Sequence, residues 1–444
     1  MSHNRVRKGS IALLLSAATL LAACGGGTAA EKAAVETGGG QAANNEAETV
    51  ELSFWNIWVN DQSKPHLDQV KAFEAAHPNI KIKMEPIPHD QYKVKLKTSA
   101  AGKQLPDVFQ VWPGAELEPL VTANVIQPID GIVDQWKDTM IPADLLTAYQ
   151  VDGKQYAIPG NQNYTHVIYY DKDQVAAAGF AEFPTNYEDF KTLVAKLKEA
   201  GHVPIALGNK GKWVLQSCYI STIGDRYTGA SFLERALAGE VKFTDPEFVD
   251  GLRVIQELSE MEAFNSDMNN IDNNQQRDIF VQGKAAMMIE GSWAITDLVA
   301  KAPKEKNIGI AFFPAVDGGK GDPKAVSSVV GTGLAINSSL SGAEKEAAET
   351  FMKFFYSEDF YKNMMAAGIV VPASVPAPED APALFREFVE KAQQTSFAPV
   401  YDALLPAPMT DAINNGLQAL SIGAITPEQL AADLEKANEA ARKQ

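Results

Sequence analysis

Val50-Glu51-Leu52-Ser53-Phe54 alternates apolar and polar side chains at the period of a half-buried strand. Leu67, Val70 and Phe73 then follow helical spacing until His77-Pro78 stops the helix, and Ile80, Ile82 and Met84 alternate again with Lys81 and Lys83. A second helical stretch around Tyr92 and Leu96 leads through Gly102 and Pro106 to the strand Asp107-Val108-Phe109-Gln110-Val111-Trp112. Strand, helix, strand, helix, strand implies parallel strands with right-handed crossovers, and hence an α/β fold. In such sheets ligands gather at the carboxyl ends of the strands. Here those ends are residues 55–61 and 112–114.

A second α/β stretch begins near Tyr156-Ala157-Ile158-Pro159. Val167-Ile168-Tyr169-Tyr170 and Val203-Pro204-Ile205-Ala206-Leu207 read as strands on either side of a helix over 185–200, capped near Thr185. Helical spacing returns at 248–262 and 275–281, and Ile308 opens an apolar strand that fits either half of the chain on pattern alone. From Ser341 the chain is mostly helical. Its last helix starts at Thr426-Pro427-Glu428-Gln429, where Thr426 can cap, Pro427 suits the first turn and Gln429 completes a capping box. No internal repeat is evident. Beyond residue 49 the chain has 444 − 49 = 395 residues, about twice a core of ~100–200 residues. Two lobes are expected.

Ahead of this region Arg5, Arg7 and Lys8 precede a small and apolar run over 11–23. That run is too short to span a bilayer, which needs about 20 residues, so 1–23 reads as an export signal. Leu21-Ala22-Ala23-Cys24 resembles the lipobox of bacterial lipoproteins, in which the cysteine is acylated, with palmitate the expected fatty acid. Residues 24–49 then form a lipidated, polar tether. As a flexible coil its ends lie roughly 25–30 Å apart. The folded part is therefore expected outside the cytoplasm, lipid-anchored to the outer face of the cell membrane. Cys218 is the other of two cysteines, so the mature domain has no disulfide partner.

A net charge of −17 argues against nucleic acid. No Gly-Lys pair is followed by the Ser or Thr of a phosphate loop, there is no Gly-x-Ser-x-Gly elbow, and the six histidines show no His-x-x-x-His spacing. No cofactor or metal is expected. With 56 acidic residues, two facing carboxylates for glycoside hydrolysis stay open.

Aromatic residues fall at strand ends or beside glycines: Trp55, Trp58, Trp112, Trp213 and Trp293, with Tyr164 in Asn161-Gln162-Asn163-Tyr164. Flat apolar faces beside amides suit a pyranose ring, whose C–H face stacks while its hydroxyls take hydrogen bonds. Each tryptophan can equally be a core anchor. Trp55, which ends an apolar strand, is the first choice for that role.

Phe280-Val-Gln-Gly-Lys-Ala-Ala-Met-Met-Ile-Glu-Gly-Ser-Trp293 is similar to the hallmark segment of the extracellular solute-binding proteins (family 1) that serve carbohydrate-uptake ABC transporters. Leu105-Pro106-Asp107-Val108, Tyr156-Ala157-Ile158-Pro159, Tyr169-Tyr170-Asp171-Lys172-Asp173 and the tail over 411–434 support the resemblance across the folded region. Asp171 stands where Asn is commoner, and Asn186-Tyr187 replaces the usual Thr-Trp.

The resemblance implies a two-lobed, periplasmic-binding-protein-like (type II) fold with a hinge and an interlobe cleft, binding an oligosaccharide without catalysis and acting as a monomer with membrane permease subunits. It places 50–158 plus 308–337 in an N-terminal lobe and 159–307 plus 338–444 in a C-terminal lobe, with the helical tail on the latter. Trp293 becomes a stacking platform and Trp112 faces it. Trp58 and Asp61 follow the first strand, Asn163 and Tyr164 enter the second lobe at the cleft, and Gly331-Thr332 forms a returning loop. Trp213 and Glu290 complete the expected ligand-binding set. The alternatives are an extracellular glycoside hydrolase or a receptor for a polyamine or peptide.

Overall fold

The computed structural model describes residues 49–443; the signal, Cys24 and nearly all of the tether lie outside them. The chain opens with β1 (Val50–Asn56), α1 (Lys64–Ala76), β2 (Ile80–Pro86), α2 (His89–Ala101) and β3 (Val108–Val111). The strands that follow are β4 (Gln150–Val151), β5 (Lys154–Gln155), β6 (Ile158–Pro159), β7 (Gln162–Tyr164), β8 (Val167–Asp171), β9 (Val203–Ala206), β10 (Ala285–Glu290), β11 (Ile308–Ala311), β12 (Ala325–Val330), β13 (Gly333–Ile336) and β14 (Ser396–Ala398).

The first lobe is built on a sheet of order β2-β1-β3-β13-β6. β1 pairs in parallel with both β2 and β3, as the alternation of strands and helices along the chain predicts. Leu52 and Phe54 point into a core with Phe73, while Glu51 on the other parity is exposed. The second lobe carries the sheet β11-β8-β10-β9. β8 and β10 are buried along their whole length, so helices must cover both faces. A small sheet, β14-β12-β7, lies where the chain passes between the lobes.

Three segments cross between the lobes, near residues 160–162, 330–332 and 367–382, and they run side by side, with Gln162 N–H donating to Val370 O at 3.0 Å. Gly160 N–H donates to Thr332 O at 2.9 Å and Gly331 N–H donates to Asn161 O at 2.7 Å. The Asn161 side-chain amide lies directly against Gly331, where a Cβ would displace it.

Two expectations about lobe membership need correction. The segment 308–337 does not return to the first lobe as one piece: β11 pairs antiparallel with β8 in the second sheet, β12 joins the small sheet, and only β13 reaches the first. The helix Ala294–Lys301 is separated from β11 by residues 302–307, a connection that keeps the strand beside its own lobe. The tail is also divided. Helices Gly342–Phe355 and Glu358–Ala366 pack on the first lobe, where Phe351 and Phe355 meet Phe54 edge-on at 5.6 and 5.9 Å. Helix Ala383–Ala392 and helices Ala407–Leu420 and Pro427–Ala441 pack on the second. The final helix begins with the capping box formed by Thr426 and Gln429. The helix Tyr187–Glu199 is capped one residue later than expected, by Asn186 rather than Thr185.

Candidate functional site

The carboxyl ends of β1 and β3 face the second lobe across a cleft of about 1020 Å³, open solvent at its mouth included. Trp58 and Trp112 enter it from the loops that end β1 and β3. Trp213 enters just before a single π-helical turn, Leu215–Ile220, whose Ser217 also lines the cleft. Trp293 follows the end of β10 and starts the helix Ala294–Lys301.

Three of these indoles and a histidine form a line of rings across both lobes. His89 meets Trp112 edge-on at 5.5 Å and Trp213 at 5.0 Å, and Trp213 lies 5.9 Å from Trp293. Lys93 Nζ stands 4.7 Å from the Trp112 ring centroid and 2.5 Å from Glu116 Oε1. The lobes also touch directly: Trp213 Nε1 donates to Asp90 Oδ1 at 3.0 Å, and Gln62 Nε2 donates to Trp293 O at 2.9 Å.

Charges lining the cleft are held by one another. Burial pushes the Asp402 carboxyl above its ordinary range against the pull of Lys93, and the Glu116 charge adds to the rise. Burial also works against the Lys93 ammonium, yet Glu116, Asp402 and Asp90 together hold it above its usual value. For Asp90, burial opposes the charge, but hydrogen bonds from His89 and Trp213 keep its carboxyl below the usual range.

Trp58, Trp112, Asn163, Trp213, Trp293 and Thr332 all line the cleft. Four other expected site residues sit elsewhere. Asp61 is exposed on the surface turn Asn60–Ser63. Tyr164 is buried with its ring edge-on to Phe388 at 5.1 Å. Glu290 is wholly buried beneath Trp293, and Gly331 serves the crossing segments. Trp55 is half-buried and packs against the apolar cluster that holds Tyr92 and Phe109, with Lys95 Nζ 3.7 Å from its ring centroid; Trp58 is the more deeply buried of the two, 6% exposed and stacked on His66 at 3.4 Å.

Sequence reasoning missed Gln62, Lys93, Glu116, Arg277 and Asp402, which also line the cleft. Gln62 and Glu116 lie within a few residues of the strand ends already singled out, so a wider window there would have caught them. Asp402, in the helical turn Tyr401–Leu404 far along the tail, carries no local signal.

Residues 68–384 match the model of a family described as bacterial extracellular solute-binding proteins. The chain belongs to that family. Among relatives of this solute-binding protein, an uncharacterised ABC transporter extracellular-binding protein of Pyrococcus horikoshii is 25% identical, over 86% of the chain and 82% of its own length. The galactooligosaccharide-binding protein of Bacillus subtilis is 24% identical over 91% of each chain. A solved chitin oligosaccharide binding protein has the same two-lobed fold, with a TM-score of 0.82 and 26% identity over 89% of this chain and 100% of that one. The family is one of extracellular binding proteins. Among the described residues, no helix is long and apolar enough to cross a membrane.

Proposed function

We propose that this solute-binding protein is a lipid-anchored receptor that takes an oligosaccharide into the cleft and delivers it to the permease subunits of an ABC transporter. The observation that carries the reading is the line of rings from Trp112 to Trp293, drawn from both lobes and set among Gln62, Asn161 and Asn163. Indole faces stack on the C–H faces of pyranose rings, and amides exchange hydrogen bonds with their hydroxyls. The charged side chains of the cleft are engaged with one another, Lys93 with Glu116 and Arg277 with Glu290 and Asp297, which favours a neutral ligand over a polyamine. The relatives named for galacto- and chitin oligosaccharides support the same ligand class. Anchoring rests on Cys24 in its lipobox-like setting.

Binding acts by population shift. Contacts made to the sugar by both lobes supply the differential free energy that favours the closed form, and no bond in the ligand is broken.

A thermal-shift screen against malto-, xylo-, chito- and galacto-oligosaccharides tests the reading: at least one is expected to raise the melting temperature, with no release of reducing ends. Trp293→Ala, and likewise Trp112→Ala, is expected to cost about 2 kcal/mol or more of binding, as buried aromatic anchors do. Calorimetric affinity unchanged in either variant removes that indole from the site, and a silent panel removes the sugar.

A further inference from the structure

A buried cluster of charges lies beneath Trp293. Arg277, from the helix Asn273–Val281, is 3% exposed, Glu290 at the end of β10 is 0% exposed, and Asp297, in the following helix, is 1% exposed. Arg277 Nε donates to Glu290 Oε2 at 2.8 Å, Nη2 donates to Oε1 at 2.5 Å, and Nη1 donates to Asp297 Oδ2. Glu290 Oε1 also accepts from Asn273 Nδ2 at 2.8 Å and from the indole Nε1–H of Trp293 at 2.8 Å. The carboxylate therefore has its direction fixed by several donors at once, and the indole takes its direction from the carboxylate.

The ring is constrained from a second side. A Cβ on Gly291 would come within 2.2–2.4 Å of three carbons of the six-membered ring of Trp293, so the indole lies directly against the Gly291 backbone. That backbone is itself fixed, because Tyr169 Oη donates to Gly291 O at 3.0 Å and Ser292 N–H donates to Tyr164 O at 2.8 Å. Buried ion pairs add little net stability compared with apolar side chains of the same volume. What such a pair supplies here is orientation, through a charge-assisted hydrogen bond stronger than a neutral one.

We propose that Glu290 and Arg277 are positioning residues, which lock the Trp293 indole in its place on the cleft wall before any ligand arrives and take up its N–H, so that this indole recognises a sugar ring by its face alone. The inference rests on the stacking role proposed above for Trp293. It reassigns Glu290 from ligand contact to support, and gives Tyr164 the related task of holding the backbone beneath the ring. Trp213 also gives its N–H to a carboxylate, but to that of Asp90 across the cleft, so its restriction holds only while the lobes touch.

The test begins with the ligand-free wild-type protein, labelled with ¹⁵N-tryptophan and with the Trp293 Nε1–H resonance assigned by its loss in Trp293→Phe. The expected result is slow exchange of this proton with solvent. Exchange at the rate of an open indole overturns the proposal without further variants. Glu290→Ala, folded by circular dichroism, is then expected to move that resonance upfield, speed its exchange, and weaken binding of the best trisaccharide among maltotriose, xylotriose and chitotriose by about tenfold or more. Glu290→Gln, which keeps an acceptor oxygen, is expected to recover part of both. Should Glu290→Ala leave resonance and affinity as in wild type while Trp293→Ala abolishes binding, the positioning role fails and the receptor reading stands. Should Trp293→Ala bind as wild type does, the stacking role on which this inference rests fails first.

Discussion

The two walls of the cleft hold their tryptophans by different forces. On the first-lobe side, Trp58 is part of the core: it stacks on His66 at 3.4 Å and meets Phe54 edge-on at 6.0 Å. On the second-lobe side, Trp213 and Trp293 each donate the indole N–H to a carboxylate, Asp90 and Glu290. A ring held by packing shares its energy with the fold, so losing it loosens the lobe. A ring held by a charge draws mainly direction from its partner, so its orientation can change while the core stays whole.

The largest difference is expected from Trp58→Ala. Deleting a buried indole costs about 3–5 kcal/mol of stability, measurable as a lower denaturant midpoint at unchanged slope. A loss under about 1 kcal/mol would make Trp58 a cleft side chain with no structural share.

Acid separates the lobes next. Burial holds both His66 in the first lobe and His166 in the second neutral, with pKa values lowered from 6.5 to about 3. The His66 Nδ1 faces the Gln62 carbonyl, so it carries the proton, and among the described residues its buried Nε2 has no acceptor for a second one. Because the unfolded chain takes up these protons first, the stability due to each histidine is complete above pH 6.5 and is lost as pH falls towards about 3. In the second lobe Asp225 works in the opposite sense. Burial raises its carboxyl from 3.8 to about 6, so its stabilising share is full below 3.8 and is lost as pH rises through about 6. Hydrogen exchange at pH 4.5 against pH 7 is therefore expected to show greater loss of protection in β1 and α1 than in β8 and β10. Equal loss in both would sink the comparison.

The smallest effect is expected at the contact between the walls. Asp90→Asn removes the charge that receives the Trp213 N–H, and should lower ligand affinity by about 0.5–1.5 kcal/mol while leaving the unfolding midpoint in place. Affinity equal to wild type would mean that this contact contributes nothing to closure.

The first lobe was the more legible in sequence because polar residues mark one face of its strands. Glu51 and Ser53 between Val50, Leu52 and Phe54 fix both the strand and its parity. That same parity explains Trp55, which points away from Leu52 and Phe54 and so lies under Lys95 rather than in their core. β11 gave no such mark. Ile308, Gly309 and Ile310 are apolar or small, and their lobe is settled by pairing with Tyr169 and Tyr170, more than a hundred residues earlier. Within the site, Trp112 and Trp293 were readable because they follow strand ends. Arg277 was not, since its partners Glu290 and Asp297 come together only once the helix Asn273–Val281 packs beside β10. Asp402 reaches the cleft from a tail that helical periodicity alone assigns to scaffold.

The three crossing segments, bonded to one another through Gly160, Gly331 and Gln162, constrain how the lobes can swing. A single strand would let one half wander in any direction, like a ball on a string. Segments clasped side by side twist as a unit, and the bare Gly331 leaves the Asn161 side chain its place against them. Such a clasp favours a hinged rotation of one lobe against the other over free swinging, so the same cleft faces meet at each closure.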